Sequence, residues 1–159
     1  MSFNSVVFLL FLPIVLVVTA MLPPTKRWIP LLLASIFFYG YWKLEYLGLL
    51  FISILIDYLA ARVMESGGRS SRKAALVVSV AANLGILIAF KYWNFIIDSF
   101  SSNYSQNEFL YHQLLLPVGI SFYTFQSMSY TIDVYRGNIE AEKHLGKFAL
   151  YVSFFPQLV

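Results

Sequence analysis

Long apolar runs, separated by short connections that carry most of the charges, dominate this chain of 159 residues. The runs cover approximately residues 3–21, 28–42, 44–63 and 74–97, and another apolar segment starts near residue 114. A helix needs about 20 residues to cross a bilayer. Only 12% of the residues are charged, whereas an average soluble domain has about 25%. The pattern therefore predicts an all-α, polytopic transmembrane protein that contacts the lipid bilayer.

The placement of the cations predicts how these runs cross the membrane. Lysine and arginine occur in alternate connections, at residues 26–27, 62–73 and 136–147, and they are sparse at 43–45 and absent from 98–113. Connections rich in these residues usually face the cytoplasm. We therefore predict about five membrane passes, with the N-terminus outside.

The connections also predict where the helices end. Residues 64–73 combine two adjacent glycines with several charges, so this stretch is predicted to be the clearest loop. The second and third apolar runs are almost continuous, which predicts a tight helical hairpin. A basic, amphipathic link is expected at residues 136–147, followed by a last apolar piece at 148–159.

The segment at residues 117–137 is apolar enough to enter a bilayer, yet it contains hydroxyls, an amide, tyrosines and a terminal Asp-x-x-Arg. Small hydroxyl residues fall within an arc of about 120° on a helical wheel. They are Ser121, Thr124, Ser127 and Thr131. Such a stripe serves either plain helix packing or the lining of a substrate tunnel. Because Gln126, Ser129 and Asp133 lie off the stripe, the segment is expected to pack among other helices rather than against lipid.

Several charged residues are candidates for a site or for a buried ion pair. Asp57 lies within the third apolar run, where an aspartate marks either a structural partner or a wet cavity. Arg62, five residues further on, is a candidate partner. Asp133 and Arg136 are three residues apart and are close enough to pair on a helix.

Other classes of chemistry have little support in the sequence. No basic tract is long enough to indicate nucleic-acid contact. The chain has no cysteine, and no metal-ligand spacing, phosphate-binding glycine loop or nucleophile elbow occurs, so no metal site is predicted. His112 and His144 lie in polar connections, where a solvated side chain is more common than a catalytic base. No complete active site is therefore expected in this chain.

Residues 116–137, Leu-Pro-Val-Gly-Ile-Ser-Phe-Tyr-Thr-Phe-Gln-Ser-Met-Ser-Tyr-Thr-Ile-Asp-Val-Tyr-Arg-Gly, resemble a signature of the membrane-bound O-acyltransferase family, in its alginate-type polysaccharide O-acetyltransferase branch. The segments at 37–42, 90–95 and 151–158 resemble further blocks of that branch, in the expected order. The resemblance implies an enzyme of the bacterial inner membrane that transfers acetyl groups to hydroxyls of an exported polysaccharide such as alginate. It also implies periplasmic acetylation partners.

The resemblance places the catalytic histidine in an apolar helix further downstream, and neither histidine of this chain matches it. Residues 1–159 are therefore expected to be the N-terminal part of a single polytopic acyltransferase domain, inactive alone and without a bound cofactor. The acetyl donor is either acetyl-CoA or a relayed acetyl group. Six residues are predicted to form the wall of the substrate passage. They are Ser121, Thr124, Gln126, Ser127, Tyr130 and Asp133.

Two alternatives compete with the enzyme interpretation. In one, the polar segment at 117–137 lines a solute path in a transporter or flippase. In the other, the chain is a non-catalytic membrane scaffold that docks a periplasmic partner through residues 98–113.

Overall fold

The computed structural model describes residues 6–42, 44–101 and 119–157, and all regular structure in these ranges is helical. The helices are α1 Val6–Met21, α2 Trp28–Trp42, α3 Leu44–Ser66, α4 Arg69–Ser101, α5 Ile120–Arg136 and α6 Leu145–Ser153. Short 3-10 turns occur at Pro24–Lys26 and Phe155–Gln157. The predicted all-α class is confirmed. His112 and most of the polar connection at 98–113 lie outside the described residues.

The predicted loop at residues 64–73 is wrong for most of its length. Helix α3 continues to Ser66 and α4 begins at Arg69, so only two glycines separate the two helices. Glutamate, arginine and lysine are good helix formers, and their charges can be solvated on a helix that leaves the apolar layer. The turn itself requires glycine, because a Cβ atom on Gly67 would lie 2.6 Å from the carbonyl oxygen of Val63.

Helix α5 is bounded by glycines in the left-handed region. Gly119 precedes it with a φ of 75°, and Gly137 follows it with a φ of 78°. At the C-terminal end, the N–H of Gly137 donates to Val134 O at 3.1 Å and the N–H of Asn138 donates to Asp133 O at 3.0 Å. This is a Schellman cap, and glycine adopts its conformation without a Cβ penalty. The polar segment therefore forms one helix, as predicted.

Helix α6 crosses the predicted boundary between the basic link and the last apolar piece. Residues 138–144 are not helical, and the helix then starts at Leu145 and carries Lys147 on its exposed side. Its opposite side buries Phe148, Ala149 and Val152. The amphipathic character expected of the link is therefore found in α6 itself.

The helices pack as one bundle with two buried clusters. Helices α3, α4 and α5 pack against one another, while α6 contacts α2, α3 and α5. Helix α1 contacts α2, and the last 3-10 turn also lies against α2. The smaller cluster also contains Val15 and Ala34, and we call its aromatic rings, from α1, α2 and this turn, the Phe155 cluster. Its members are Phe8, Phe11, Phe38 and Phe155.

The outer surface is strongly apolar. Leu9 and Leu33 are more than half exposed, and Met21 is 81% exposed. The segments Tyr46–Ser66 and Arg69–Lys91 are long and apolar enough to cross a membrane, and α1 is a shorter apolar helix. An apolar exterior around a polar interior is the arrangement expected in lipid. The number of passes and the outward N-terminus stay predictions.

Candidate functional site

A fully buried aspartate lies where α3, α4 and α5 meet. The carboxylate of Asp57 accepts a hydrogen bond from Ser79 Oγ at 2.6 Å and another from Ser127 Oγ. The side-chain amide of Asn83 donates to both carboxylate oxygens, at 2.7 and 2.9 Å. Asp57, Ser79 and Ser127 have no exposed surface. Neutral dipoles from two other helices therefore replace water around this side chain.

A second layer holds these donors in place. Ser53 Oγ donates to Asn83 Oδ1 at 2.8 Å, and Asn83 Nδ2 also donates to the carbonyl oxygen of Ser79 at 3.0 Å. Thr131 Oγ1 lies 3.3 Å from Ser79 Oγ and donates to Met128 O at 3.0 Å. We call the whole group the Asp57 cluster. Its members are Ser53, Asp57, Ser79, Asn83, Ser127 and Thr131.

Each helix supplies the cluster with two polar residues four positions apart. The pairs are Ser53 with Asp57 on α3, Ser79 with Asn83 on α4, and Ser127 with Thr131 on α5. Residues at this spacing lie on the same face of a helix. Asp57 and the two α5 residues were candidates from the sequence, whereas Ser53, Ser79 and Asn83 were not. The signal that could have found them is a polar pair at this spacing within an otherwise apolar run.

The predicted partner of Asp57 is wrong. Arg62 donates instead to Glu65 across 2.5 Å, at the end of α3. Five positions along a helix correspond to a rotation of about 140°, so Asp57 and Arg62 point to different sides. Of the two alternatives for Asp57, the structure supports a structural role with buried hydrogen-bond partners rather than a wet cavity.

The Asp57 cluster has hydroxyls, an amide and a carboxylate, and no histidine contacts it among the residues that the structure describes. His144 is exposed, and its ring packs against Trp28 with 4.7 Å between the ring centroids. Within the described ranges, no group of three or more His, Cys, Asp or Glu residues could hold a metal ion. The geometry of the Asp57 cluster is therefore that of a hydrogen-bond network that holds helices together.

Three of the six predicted wall residues lie along the N-terminal and middle parts of α5. Ser127 belongs to the Asp57 cluster. Thr124 is fully buried, one turn before it, and Ser121 is half-buried a further turn away. These three residues share one face of α5, as the helical wheel predicts, and that face packs among other helices.

The other three predicted wall residues contact the chain that follows α5. Gln126 Nε2 donates to Tyr151 O of α6 at 2.9 Å. Tyr130 Oη accepts a hydrogen bond from the backbone N–H of Glu142 at 2.8 Å. Asp133 accepts a hydrogen bond from Asn138 Nδ2 at 3.1 Å. Their polar groups are thus directed away from the Asp57 cluster.

The predicted pair of Asp133 with Arg136 is also not the arrangement found. The Schellman turn after α5 brings Asn138 back toward Asp133, and the carboxylate is bonded there. Arg136 is exposed at the end of the helix.

Two buried hydroxyls on α5 lack a hydrogen-bond partner. They are Tyr123 Oη and Thr124 Oγ1, on residues that are 1% and 0% exposed. The Tyr123 ring lies edge-on to Tyr39 of α2, with 6.5 Å between centroids. Most buried polar side-chain atoms in proteins have a partner, so each exception needs an explanation. These hydroxyls mark the part of α5 that is best suited to contact a further polar group.

The all-helical bundle, its buried hydrogen-bonded polar core and its apolar surface together define a helical membrane protein. Comparison with known proteins shows what the chain is similar to. Over its full length, the chain is 40% identical to a probable alginate O-acetylase AlgI from Azotobacter vinelandii, and 39% identical to the protein of the same name from Pseudomonas aeruginosa. A peptidoglycan O-acetyltransferase from Helicobacter pylori is 31% identical over 84% of the chain.

The chain is therefore similar to proteins named as alginate and peptidoglycan O-acetyltransferases, which confirms the resemblance found in the sequence. It spans about one third of the length of these relatives, between 30% and 33%. No protein-family model matches the chain. No solved structure matches it either.

Proposed function

We propose that this chain is part of a membrane enzyme that transfers acetyl groups to hydroxyls of an exported polysaccharide such as alginate. The observation that carries the proposal is the 40% identity, along the whole chain, to a protein named as a probable alginate O-acetylase. In this proposal residues 1–159 form the N-terminal part of one polytopic domain in the bacterial inner membrane. The chain crosses that membrane about five times, with its N-terminus outside.

Acetyl transfer to a hydroxyl needs a donor, an acceptor and a general base in one water-poor passage. A histidine with a pKa near neutrality can accept the hydroxyl proton. Among the described residues, the polar core contacts no histidine, and in this proposal another part of the enzyme supplies the base. The proposal also holds that this chain alone is inactive and binds no cofactor. The donor is acetyl-CoA or a relayed acetyl group, and periplasmic proteins assist the transfer to the polymer.

In this proposal the chain positions helices of the enzyme and does not itself carry out the acetyl transfer. The Asp57 cluster holds α3, α4 and α5 in one register, because its hydrogen bonds join Asp57 on α3 to α4 and also to α5. Helix α5 then presents its polar side chains at a defined height in the membrane. The six predicted wall residues remain our proposal for the passage, and the unpartnered hydroxyl of Thr124 gives the strongest support among them.

A chimera tests the proposed function. This chain would replace the matching third of the Azotobacter vinelandii relative, in a strain that lacks its own copy of that gene. We expect the chimera to restore acetyl groups on the exported alginate, measured by NMR of the purified polymer. Membrane fractions probed with an antibody would show that the chimera and the native protein are present at equal levels. A chimera that is present at the native level but leaves the polymer unacetylated would contradict the proposal.

Two substitutions in the active chimera test the passage wall. Thr124→Val and Tyr123→Phe remove hydroxyls that make no hydrogen bond in this chain, so we expect no loss of stability. If these hydroxyls contact substrate or a substrate-bound water, acetylation should fall by about 10-fold or more, as for loss of one specific polar contact.

Matched controls remove hydroxyls elsewhere. Thr19→Val removes a hydroxyl that donates to Val15 O on α1, and Tyr58→Phe removes one that donates to Lys143 O. We expect acetylation to change little in these variants. If Thr124→Val and Tyr123→Phe behave like the controls, this part of α5 does not line the passage.

A further inference from the structure

A cavity of about 500 Å³ lies at the end of the bundle where α3 turns into α4 and where α5 ends. Its lining is formed by Gly67, Arg69, Arg72, Tyr135 and Arg136. Three of these residues are arginines, and none is acidic. From the sequence, Arg69 and Arg72 were assigned only to membrane orientation, and Arg136 was also a candidate partner of Asp133. Their convergence on one cavity is visible only in the structure.

Arg72 is held rigidly in this cavity. Its Nη2 donates to the carbonyl oxygen of Tyr135 at 2.9 Å, and its guanidinium carbon lies 5.9 Å from the centre of the Tyr135 ring. Its Nε atom is buried and has no hydrogen-bond partner. A fixed guanidinium with an unused N–H loses little conformational freedom when it binds an anion.

The positive charge of the cavity is not neutralised by a carboxylate. In the described part of the chain, the one ion pair joins Arg62 to Glu65, which leaves Arg69, Arg72 and Arg136 without an acidic partner. Glu65 and Glu140 do line a neighbouring cavity that shares Arg72. The first turn of α4, a helix of 33 residues that begins at Arg69, adds the positive end of its dipole to the same place.

The position of the cavity indicates what binds there. The apolar segment on α3 ends at Ser66, and the one on α4 starts at Arg69, so the cavity lies at the edge of the apolar layer. Phosphates of phospholipids lie at this depth, and basic pockets between helices on the cytoplasmic side bind anionic headgroups. The planar fork of arginine matches two oxygens of one phosphate.

We propose that Arg69, Arg72 and Arg136 form a binding site for a phosphate group, carried by an anionic phospholipid at the membrane surface. The site fixes the α3–α4 turn and the end of α5 relative to the bilayer. This inference does not depend on acetyl transfer, and a failure of one would leave the other intact.

Native mass spectrometry of the purified protein in detergent tests the site. Phosphatidylglycerol would be titrated in one arm, phosphatidylcholine in a second, and sodium phosphate would compete in a third. We expect tight retention of phosphatidylglycerol and weak retention of phosphatidylcholine. Each cation near a membrane surface contributes about 1 kcal/mol, so Arg69→Gln or Arg136→Gln should weaken binding about 5-fold, and both together about 25-fold.

Two further variants distinguish a specific phosphate site from general electrostatic attraction of anions to the protein. Lys26→Gln removes the same charge from an exposed position outside the cavity, and it should leave binding unchanged. Arg136→Lys keeps the charge but loses the planar fork, so its binding should lie between that of the native protein and that of Arg136→Gln. Circular dichroism of every variant would show that the helix content is preserved.

The outcomes are distinct. Phosphatidylglycerol binding that depends on the arginines supports the proposal. Binding of inorganic phosphate with the same dependence, without lipid retention, supports the phosphate site with a soluble occupant. Equal binding by the double variant, or an equal loss in Lys26→Gln, overturns it.

Discussion

The Asp57 cluster and the Phe155 cluster both hold helices together, but they use different interactions. The Asp57 cluster joins α3, α4 and α5 through directed hydrogen bonds between side chains with at most 1% exposure. The Phe155 cluster joins α1, α2 and the last 3-10 turn through aromatic rings whose centroids lie 5.5 to 6.4 Å apart. Phe155 itself is 1% exposed.

The two clusters show how the register between helices is specified inside an apolar solvent. Lipid tails are as apolar as leucine, so burying an aromatic ring between helices gains packing but little hydrophobic free energy. Ring packing also tolerates small shifts of one helix along another. A hydrogen bond to a buried carboxylate does not tolerate such shifts, because a donor that loses its partner in an apolar interior has no water to replace it. Substitutions in the Asp57 cluster should therefore destabilise the bundle more than substitutions in the Phe155 cluster.

The largest expected effect is that of Asp57→Leu. The substitution leaves the donors of Ser79, Asn83 and Ser127 without their acceptor. We expect the free energy of unfolding to fall by about 2–5 kcal/mol, from several bonds worth about 0.6–1.7 kcal/mol each plus unpaired donors. Unfolding in mixed micelles, followed by circular dichroism, measures the change.

Leu55→Ala is a suitable control for Asp57→Leu. Leu55 lies on the same helix and is 47% exposed, so its truncation should change stability by less than about 0.5 kcal/mol. Equal stability of the two variants would show that the Asp57 cluster does not hold the helices together.

The next largest effect is expected at Gly146 on α6, a helix that packs against α2, α3 and α5. A Cβ atom there would lie 2.5 Å from Cζ3 of Trp28 on α2. Gly146→Ala should therefore push α6 away from α2 and lower the free energy of unfolding by about 1–3 kcal/mol, as overpacking does.

Gly85→Ala is the matched control for Gly146→Ala. A Cβ atom on Gly85 has nothing within 4 Å, so alanine should be neutral or gain up to about 1 kcal/mol through helix propensity. Thermal unfolding of the two variants gives the comparison. If Gly146→Ala is as stable as Gly85→Ala, Trp28 does not constrain α6.

A smaller effect is expected at the edge of the Asp57 cluster. Ser53→Ala removes the donor to Asn83 Oδ1 but leaves every bond to the carboxylate in place. We expect a loss of about 1 kcal/mol in the same unfolding assay. Ser153→Ala, which removes a buried bond to Ala149 O within α6, is the control and should change less. A loss as large as that of Asp57→Leu would mean that the second layer, rather than the carboxylate, holds the cluster.

Much of the fold was predictable because each helix is specified by a local pattern. The apolar runs predicted every described helix except α6, and α2 has the predicted limits, Trp28–Trp42. The loop at residues 64–73 was mispredicted because charge was read as a helix breaker. In fact only the glycines break the helix, while arginine and lysine continue it.

The candidate site was less predictable because its contacts are remote in sequence. Asp57 and Ser127 are separated by 70 positions, and no local sequence pattern predicts that α3 and α5 pack together. The spacing of four between polar residues was visible on α5 and was used there. The same spacing in Ser79 and Asn83 on α4 was not used. A carboxylate that is buried between helices requires donors from its neighbours, so a search for such pairs would have found them.

The smallest expected effect, that of Phe155→Leu, completes the comparison, because leucine is then introduced into both clusters. Leucine keeps Phe155 apolar and removes ring contacts with Phe8, Phe11 and Phe38, but it leaves no polar group unpaired. We expect a loss below about 1 kcal/mol, because a swap between large apolar residues usually costs little when no polar group is left unpaired. The same micelle unfolding assay should therefore rank Asp57→Leu well above Phe155→Leu. The reverse order would mean that aromatic packing, and not the buried carboxylate, holds this bundle together in its apolar surroundings.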